Sequence, residues 1–194
     1  MALVPATLSA SLLAAFSPPN LWPTVATQFV SAIDTYVLTG TTTGAGSAIV
    51  VPPSGSPVTT PYTVTGTIVT TAGLTALTTA ANTVFSVANP TWVNVGTTLA
   101  NAISAYLTAS VITTLAVLPF VGGGSGVCNP TATLTVLVAT MEALFISPTS
   151  TWPTIASTLA TTLDTFIKAA VITSTDLGAT PPASWTGTTV GTIV

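Results

Sequence analysis

Leu21-Trp-Pro-Thr-Val-Ala-Thr-Gln-Phe-Val-Ser-Ala-Ile-Asp-Thr-Tyr36 has two counterparts further along the chain. They are Thr91-Trp-Val-Asn-Val-Gly-Thr-Thr-Leu-Ala-Asn-Ala-Ile-Ser-Ala-Tyr106 and Thr151-Trp-Pro-Thr-Ile-Ala-Ser-Thr-Leu-Ala-Thr-Thr-Leu-Asp-Thr-Phe166. In each, a Trp is followed by an aromatic fourteen residues on, pairing Trp22 with Tyr36, Trp92 with Tyr106 and Trp152 with Phe166. The apolar positions between them match without a gap: Val25, Phe29 and Ile33; Val95, Leu99 and Ile103; Ile155, Leu159 and Leu163. Steps of four and four and then three to the aromatic are helical and draw one apolar stripe down each segment. Pro23 and Pro153 fall in a first helical turn, where proline is tolerated. Each segment is therefore expected to be a helix of about four turns beginning just after its Trp.

A shorter helix precedes each Trp, carried by Leu8, Leu12 and Phe16, then Leu74, Leu77, Ala81 and Phe85, then Leu134, Leu137, Met141 and Phe145. The connections Ser17–Leu21, Ser86–Thr91 and Ile146–Thr151 are short and rich in Pro, Asn and Ser. Short links make antiparallel neighbours. After each helical hairpin, residues 39–72, 109–132 and 170–194 turn to Thr, Val, Ile, Gly and Pro, the mixture of strands and turns. Ala48–Val51 and Tyr62–Thr70 flank one turn; Val171–Thr175 and Thr186–Val194 flank Gly178–Ser184. The middle copy offers Val111–Val121 followed by the glycines of Gly122–Gly126, which read as a flexible loop. The expectation is an α+β chain of three units, 1–70, 71–130 and 131–194. Each is an αα-hairpin followed by a short strand pair, arranged with pseudo-threefold character around one shared core. A unit of this size cannot bury its own stripe alone. Trp22, Tyr36, Trp92, Tyr106, Trp152 and Phe166 are the expected packing anchors.

Charge is nearly absent. Of 194 residues, 48 % are hydrophobic, an ordinary share, but only 3 % are charged, against about 25 % in a typical soluble domain. The full set is Asp34, Glu142, Asp164, Lys168 and Asp176. A monomer of this size exposes roughly 8,500 Å², and five charges cannot keep that area apart from its neighbours. The composition therefore points to a subunit that buries its surface in an assembly, as a homo-oligomer or beside other structural proteins. One Lys and no Arg argue against nucleic acid as a partner.

A mean hydropathy of +0.81 raises the question of a membrane. Leu99–Val121 runs 23 residues without a charge, long enough to span a bilayer. Against that, Asn101, Ser104, Thr108, Ser110, Thr113, Thr114 and Pro119 interrupt it, and no basic residue flanks it to orient it. The apolar stretch Leu8–Phe16 follows no basic residue and reads poorly as a secretory signal.

Catalytic chemistry has little to work with. Histidine is absent, so Ser–His and Cys–His nucleophiles are excluded, and the single Cys128 offers neither a disulfide nor a zinc set. No enzyme activity, cofactor or metal is expected. Asp34 and Asp164 hold matching positions where the middle copy has Ser104. A carboxylate pair could serve acid–base work or calcium, but the loss in one copy favours a polar spot on an outer helix face. Glu142 and Lys168 are candidates for an ion pair of little consequence. Phe120-Val-Gly-Gly-Gly-Ser-Gly126 lacks the Lys of a phosphate cradle.

The nearly charge-free Thr/Ala/Gly/Val-rich chain, with repeated Trp-Pro-Thr…Asp-Thr-(Tyr/Phe) units, resembles structural proteins of large tailed-phage virions. That resemblance covers the whole chain through composition and repeat layout. It implies a head decoration, cement, collar or tail-surface subunit located in the virion. Two other readings remain open: an extracellular or cell-surface adhesin that stacks glycans on its Trp-bearing turns, and a membrane-embedded subunit.

Overall fold

The computed structural model describes residues 3–17, 20–86, 92–130, 133–146, 151–180 and 183–194. Two helices are followed by two strands, and that order occurs three times: α1 (Pro5–Phe16), α2 (Trp22–Thr39), β1 (Thr41–Val51), β2 (Val58–Val69), α3 (Thr71–Ser86), α4 (Trp92–Thr108), β3 (Val111–Ala116), β4 (Gly122–Asn129), α5 (Leu134–Ile146), α6 (Trp152–Lys168), β5 (Val171–Thr180) and β6 (Ala183–Ile193). Among the described residues the chain is thus mixed α/β, with six helices and six strands. The expected hairpin connections fall partly on residues 18–19, 87–91 and 147–150, outside the described residues, as does the side chain of Trp92.

Helices rich in β-branched Thr are weak on intrinsic propensity and depend on packing. Here each packs against the next in sequence, and α6 returns to α1, so the six form a closed ring. Their apolar stripes converge on one core that runs through all six helices. The Trp-bearing helices are 17 or 18 residues long, nearly five turns rather than four. Pro23 and Pro153 occupy the first turns of α2 and α6, as the spacing predicts. At the end of α1, Asn20 Nδ2 donates to the otherwise open carbonyls of Ala14 and Ala15 at 2.9 and 3.1 Å.

The strands pair antiparallel in chain order and close, β6 on β1, into a barrel. Closure gives every strand a hydrogen-bonded neighbour on both sides along its paired length. It also sets the first strand beside the last, with Thr42 opposite Ile193. The strands that meet the helical ring most closely do so within their own unit of sequence: β2 meets α2, β4 meets α4 and β6 meets α6. Ile68, Ile112, Cys128, Ile172 and Ile193 point down from the barrel into the helical core. At the other end Ala48, Tyr62, Val64, Ala116, Phe120 and Trp185 form a second, smaller apolar cluster.

A six-stranded barrel is too narrow for a full side chain at every inward position, since eight strands already leave only enough room to fill. Glycine resolves the conflict. A Cβ on Gly187 would lie 2.6 Å from the Tyr62 ring, and one on Gly124 would lie 1.9 Å from the Thr175 carbonyl oxygen. For the same reason Gly122–Gly126 is no flexible loop. It forms most of β4, in register with both β3 and β5.

Leu99–Val121 is divided between the end of α4, strand β3 and the turn after it. Among the described residues, no helix is long and apolar enough to cross a membrane.

Candidate functional site

The charged residues are the natural starting point, and the fold uses them internally. Asp176 lies on β5 at the same strand parity as Ile172 and Ser174, so it faces into the barrel and is fully buried. Three hydroxyls converge on it: Tyr62 Oη at 2.7 Å, Ser174 Oγ at 2.9 Å and Thr114 Oγ1. Ser174 in turn bonds Thr189 at 2.5 Å. The cluster forms a polar layer between the two apolar ones. Its carboxylate accepts only from hydroxyls, which is how a buried charge avoids the full cost of desolvation. Burial, and then the hydrogen bond to Asp176, pushes the Tyr62 phenol well above its ordinary range.

Asp34 and Asp164 belong to separate clusters. Asp34 accepts from Thr70 Oγ1 at 2.6 Å and Tyr106 Oη at 2.7 Å. Asp164 accepts from Tyr36 Oη at 2.5 Å and pairs with Lys168 Nζ at 2.8 Å. Both carboxylates are half-buried and cross-link elements distant in sequence, which corrects their assignment to an outer helix face. Desolvation first, and the carboxylate bond second, raise the phenols of Tyr36 and Tyr106. Lys168 also donates to the Leu3 carbonyl at 3.4 Å. The expected Glu142–Lys168 pair is replaced: Glu142 instead accepts from Thr97 Oγ1.

Tyr36, Tyr106 and Phe166 are all buried. Trp22 is 41 % exposed, with its ring stacked at 6.1 Å on Phe85. Trp152 is half-buried and stacked at 5.5 Å on Phe16. Phe16 also meets Phe29, Phe85 and Phe145 at 6.2–6.5 Å, closing the far end of the helical ring with aromatic edges. Cys128 sits buried between barrel and helices, its thiol pushed up to about 11 by desolvation. No cluster of three or more His, Cys, Asp or Glu side chains forms among the described residues.

What remains for contact with other molecules is the outside, and above all the barrel wall. Asp176 faces inward and the other four charges sit on α2, α5 and α6, so the wall carries no charge at all. One row of exposed hydroxyls winds around it in register, Thr67, Thr113, Ser125, Thr175, Thr188 and Ser47. Neighbours in that row are about 4.8 Å apart. Aliphatic rows border it, with Leu115, Gly123 and Leu177 aligned on one side and Val111 and Val127 on the other.

The helices reduce their polarity differently. Thr27, Thr78, Thr79, Thr83, Thr161 and Thr165 each donate to the carbonyl four residues back. A threonine bonded in this way gives its proton to its own helix and has no donor left for a partner.

Sequence reasoning missed Asp176, Tyr62 and Trp185. The available signal was parity, because Asp176 stands an even number of residues from Ile172. No family model matches the chain, and neither a curated protein nor a solved structure does.

Proposed function

We propose that the chain is a non-enzymatic structural subunit of a large assembly, acting through contacts with copies of itself and with other structural proteins. The observation that carries this reading is the charge-free barrel wall. A surface of 9286 Å² with its few charges confined to helices and partly tied up in internal bonds has little electrostatic repulsion to keep copies apart. Its helical threonines donate inward, which lowers the cost of removing water from it. Together with the resemblance to phage structural proteins, this favours a virion surface location: head decoration, cement, collar or tail. One lysine and no arginine argue for a place away from packaged DNA.

The same reading takes the three αα–ββ units as copies around a pseudo-threefold axis. Two sets of contacts support it. Trp22 of the first unit stacks on Phe85 of the second, and Trp152 of the third stacks on Phe16 of the first. Asp34 reaches Tyr106, and Asp164 reaches Tyr36, by the same step from one unit to the next. The adhesin reading is disfavoured, because the two Trp rings just described already have a neighbouring Phe on one face.

The test is particle mass in detergent-free buffer, by light scattering after size exclusion. A discrete oligomer or a growing polymer supports the reading. A stable monomer at every accessible concentration overturns self-association.

A further inference from the structure

The barrel wall is uneven. Hairpins β1–β2 and β5–β6 have strands of 10 to 12 residues, but β3 and β4 have only six and eight. Around this short hairpin the exposed aliphatic side chains gather. Leu115 and Leu177 flank Gly123 in one register row and are 64 % and 63 % exposed. Val117, Leu118 and Val121, in and beside the connecting turn, are 43 %, 80 % and 57 % exposed. Beside the β1–β2 connection, Pro52 to Pro57, a smaller exposed set of Ile49, Val51 and Val58 is 50 %, 47 % and 56 % exposed.

We propose that this face of β3, β4 and β5 packs against the same face of a second copy of the chain. The inference rests on the structural-subunit reading and names its contact surface. Size is the first argument. Five aliphatic side chains exposed to this degree present roughly 300 Å² of apolar area, in the range where a patch on a monomer marks an interaction site. That supplies most of the apolar core of a standard interface, in which each partner buries about 800 Å², a little over half of it apolar. The hydroxyl row of Thr113, Ser125 and Thr175 beside it forms the polar rim.

Charge is the second argument. The wall offers nothing to an acidic or basic partner and no cation to a lipid headgroup, whereas a second copy brings an equally uncharged face. No ion is desolvated when the two meet.

Backbone chemistry sets the mode of contact. Val117 N–H donates to the Thr63 carbonyl at 2.9 Å, so the polar groups of Thr63 face β3. Two residues earlier, Pro61 faces the same way on the stretch of β2 that overshoots β3, and it has no N–H to offer. Pro61 removes one backbone donor from that edge and weakens strand addition there, so the proposed contact is made by the exposed side chains.

The full chain, Leu118→Asp, Leu177→Thr and a control remote from the barrel wall, Val4→Asp at the exposed N-cap of α1, are compared by light scattering over a dilution series. Thermal melts verify that each is folded. The expected result is an oligomeric parent whose dissociation constant rises roughly tenfold or more in Leu118→Asp and Leu177→Thr, and stays unchanged in Val4→Asp. An oligomeric parent with all three variants unaffected overturns this face and leaves the assembly reading standing. A parent that is monomeric throughout overturns both.

Discussion

Asp34 on α2 accepts a hydrogen bond from Tyr106 Oη on α4 at 2.7 Å, across 72 residues of sequence. Its sequence counterpart Asp164 accepts from Tyr36 in the same manner. At the matching positions of the sequence the remaining copies have Ser104 and Phe166, both buried. Where the carboxylate is missing, the hydroxyl it would have accepted from is missing too. An unpaired buried phenol costs more than a phenyl ring, so losing both partners together is the less costly route.

Removing both partners should therefore cost less than the two single removals added together. Asp34→Ala orphans Tyr106 and Thr70 and should destabilise by about 1–3 kcal/mol, and Asp34→Ala with Tyr106→Phe by less than the sum of the two singles. On the threefold reading, Phe166→Tyr alone is destabilising, and adding Ser104→Asp recovers part of that loss. Urea denaturation of the two cycles measures each term. Additive singles would show that the bonds are not coupled.

Asp176 is the most exacting of the carboxylates, because it is fully buried and gathers three hydroxyls inside the barrel. Asp176→Ala leaves Tyr62, Thr114 and Ser174 facing a void and should cost about 3 kcal/mol or more. Thr114→Val removes one donor and should cost about 1 kcal/mol. Thermal unfolding ranks them. Equal effects would mean that the cluster does not act as a unit.

The helical half of the molecule was readable from the sequence, and the barrel much less so, for a physical reason. Stripes such as Val25, Phe29 and Ile33 face a wide apolar core, so periodicity announces them. Inward barrel positions such as Thr114, Ser174, Gly124 and Gly187 face a lumen too narrow for aliphatic chains. The period-2 pattern that normally reveals a strand is therefore written in small and polar residues. Gly122–Gly126 looked like a loop on those grounds. Barrel closure depends on β1 meeting β6 across nearly the whole chain, which no local pattern encodes. The charged residues misled for a related reason. Asp34 and Asp164 lie at the margin of a helical stripe, and only the neighbouring unit supplies the tyrosine that draws each one inward.

Alkaline pH should unfold the protein through its tyrosines. The phenols of Tyr36, Tyr62 and Tyr106 are all raised above the ordinary value near 10 by desolvation and a carboxylate neighbour. The folded state thus holds three protons that the unfolded state gives up first. Their contribution is complete below about pH 10 and is lost as the pH climbs toward the folded values. The melting temperature should fall progressively above pH 10, and the fall should be shallower in Tyr106→Phe. Melts between pH 8 and 11.5 check this, and a flat profile would show that the phenols are not shielded.

Gly187 tests whether the narrow lumen dictates the glycine content of the strands. A methyl there would stand 2.6 Å from the Tyr62 ring, and that ring is pinned by its bond to Asp176 and by contacts with Phe120 and Trp185 at 5.5 and 5.1 Å. The ring cannot retreat without breaking the bond or the aromatic cluster. At Gly44 the nearest atom is a Val64 methyl at 3.2 Å, which a small shift accommodates. Gly187→Ala should cost about 1–3 kcal/mol or more and disturb the near-ultraviolet signal of Trp185, whereas Gly44→Ala should stay close to the parent. If both substitutions are tolerated alike, room in the barrel is not what selects glycine, and the weak strand signal in the sequence needs another cause.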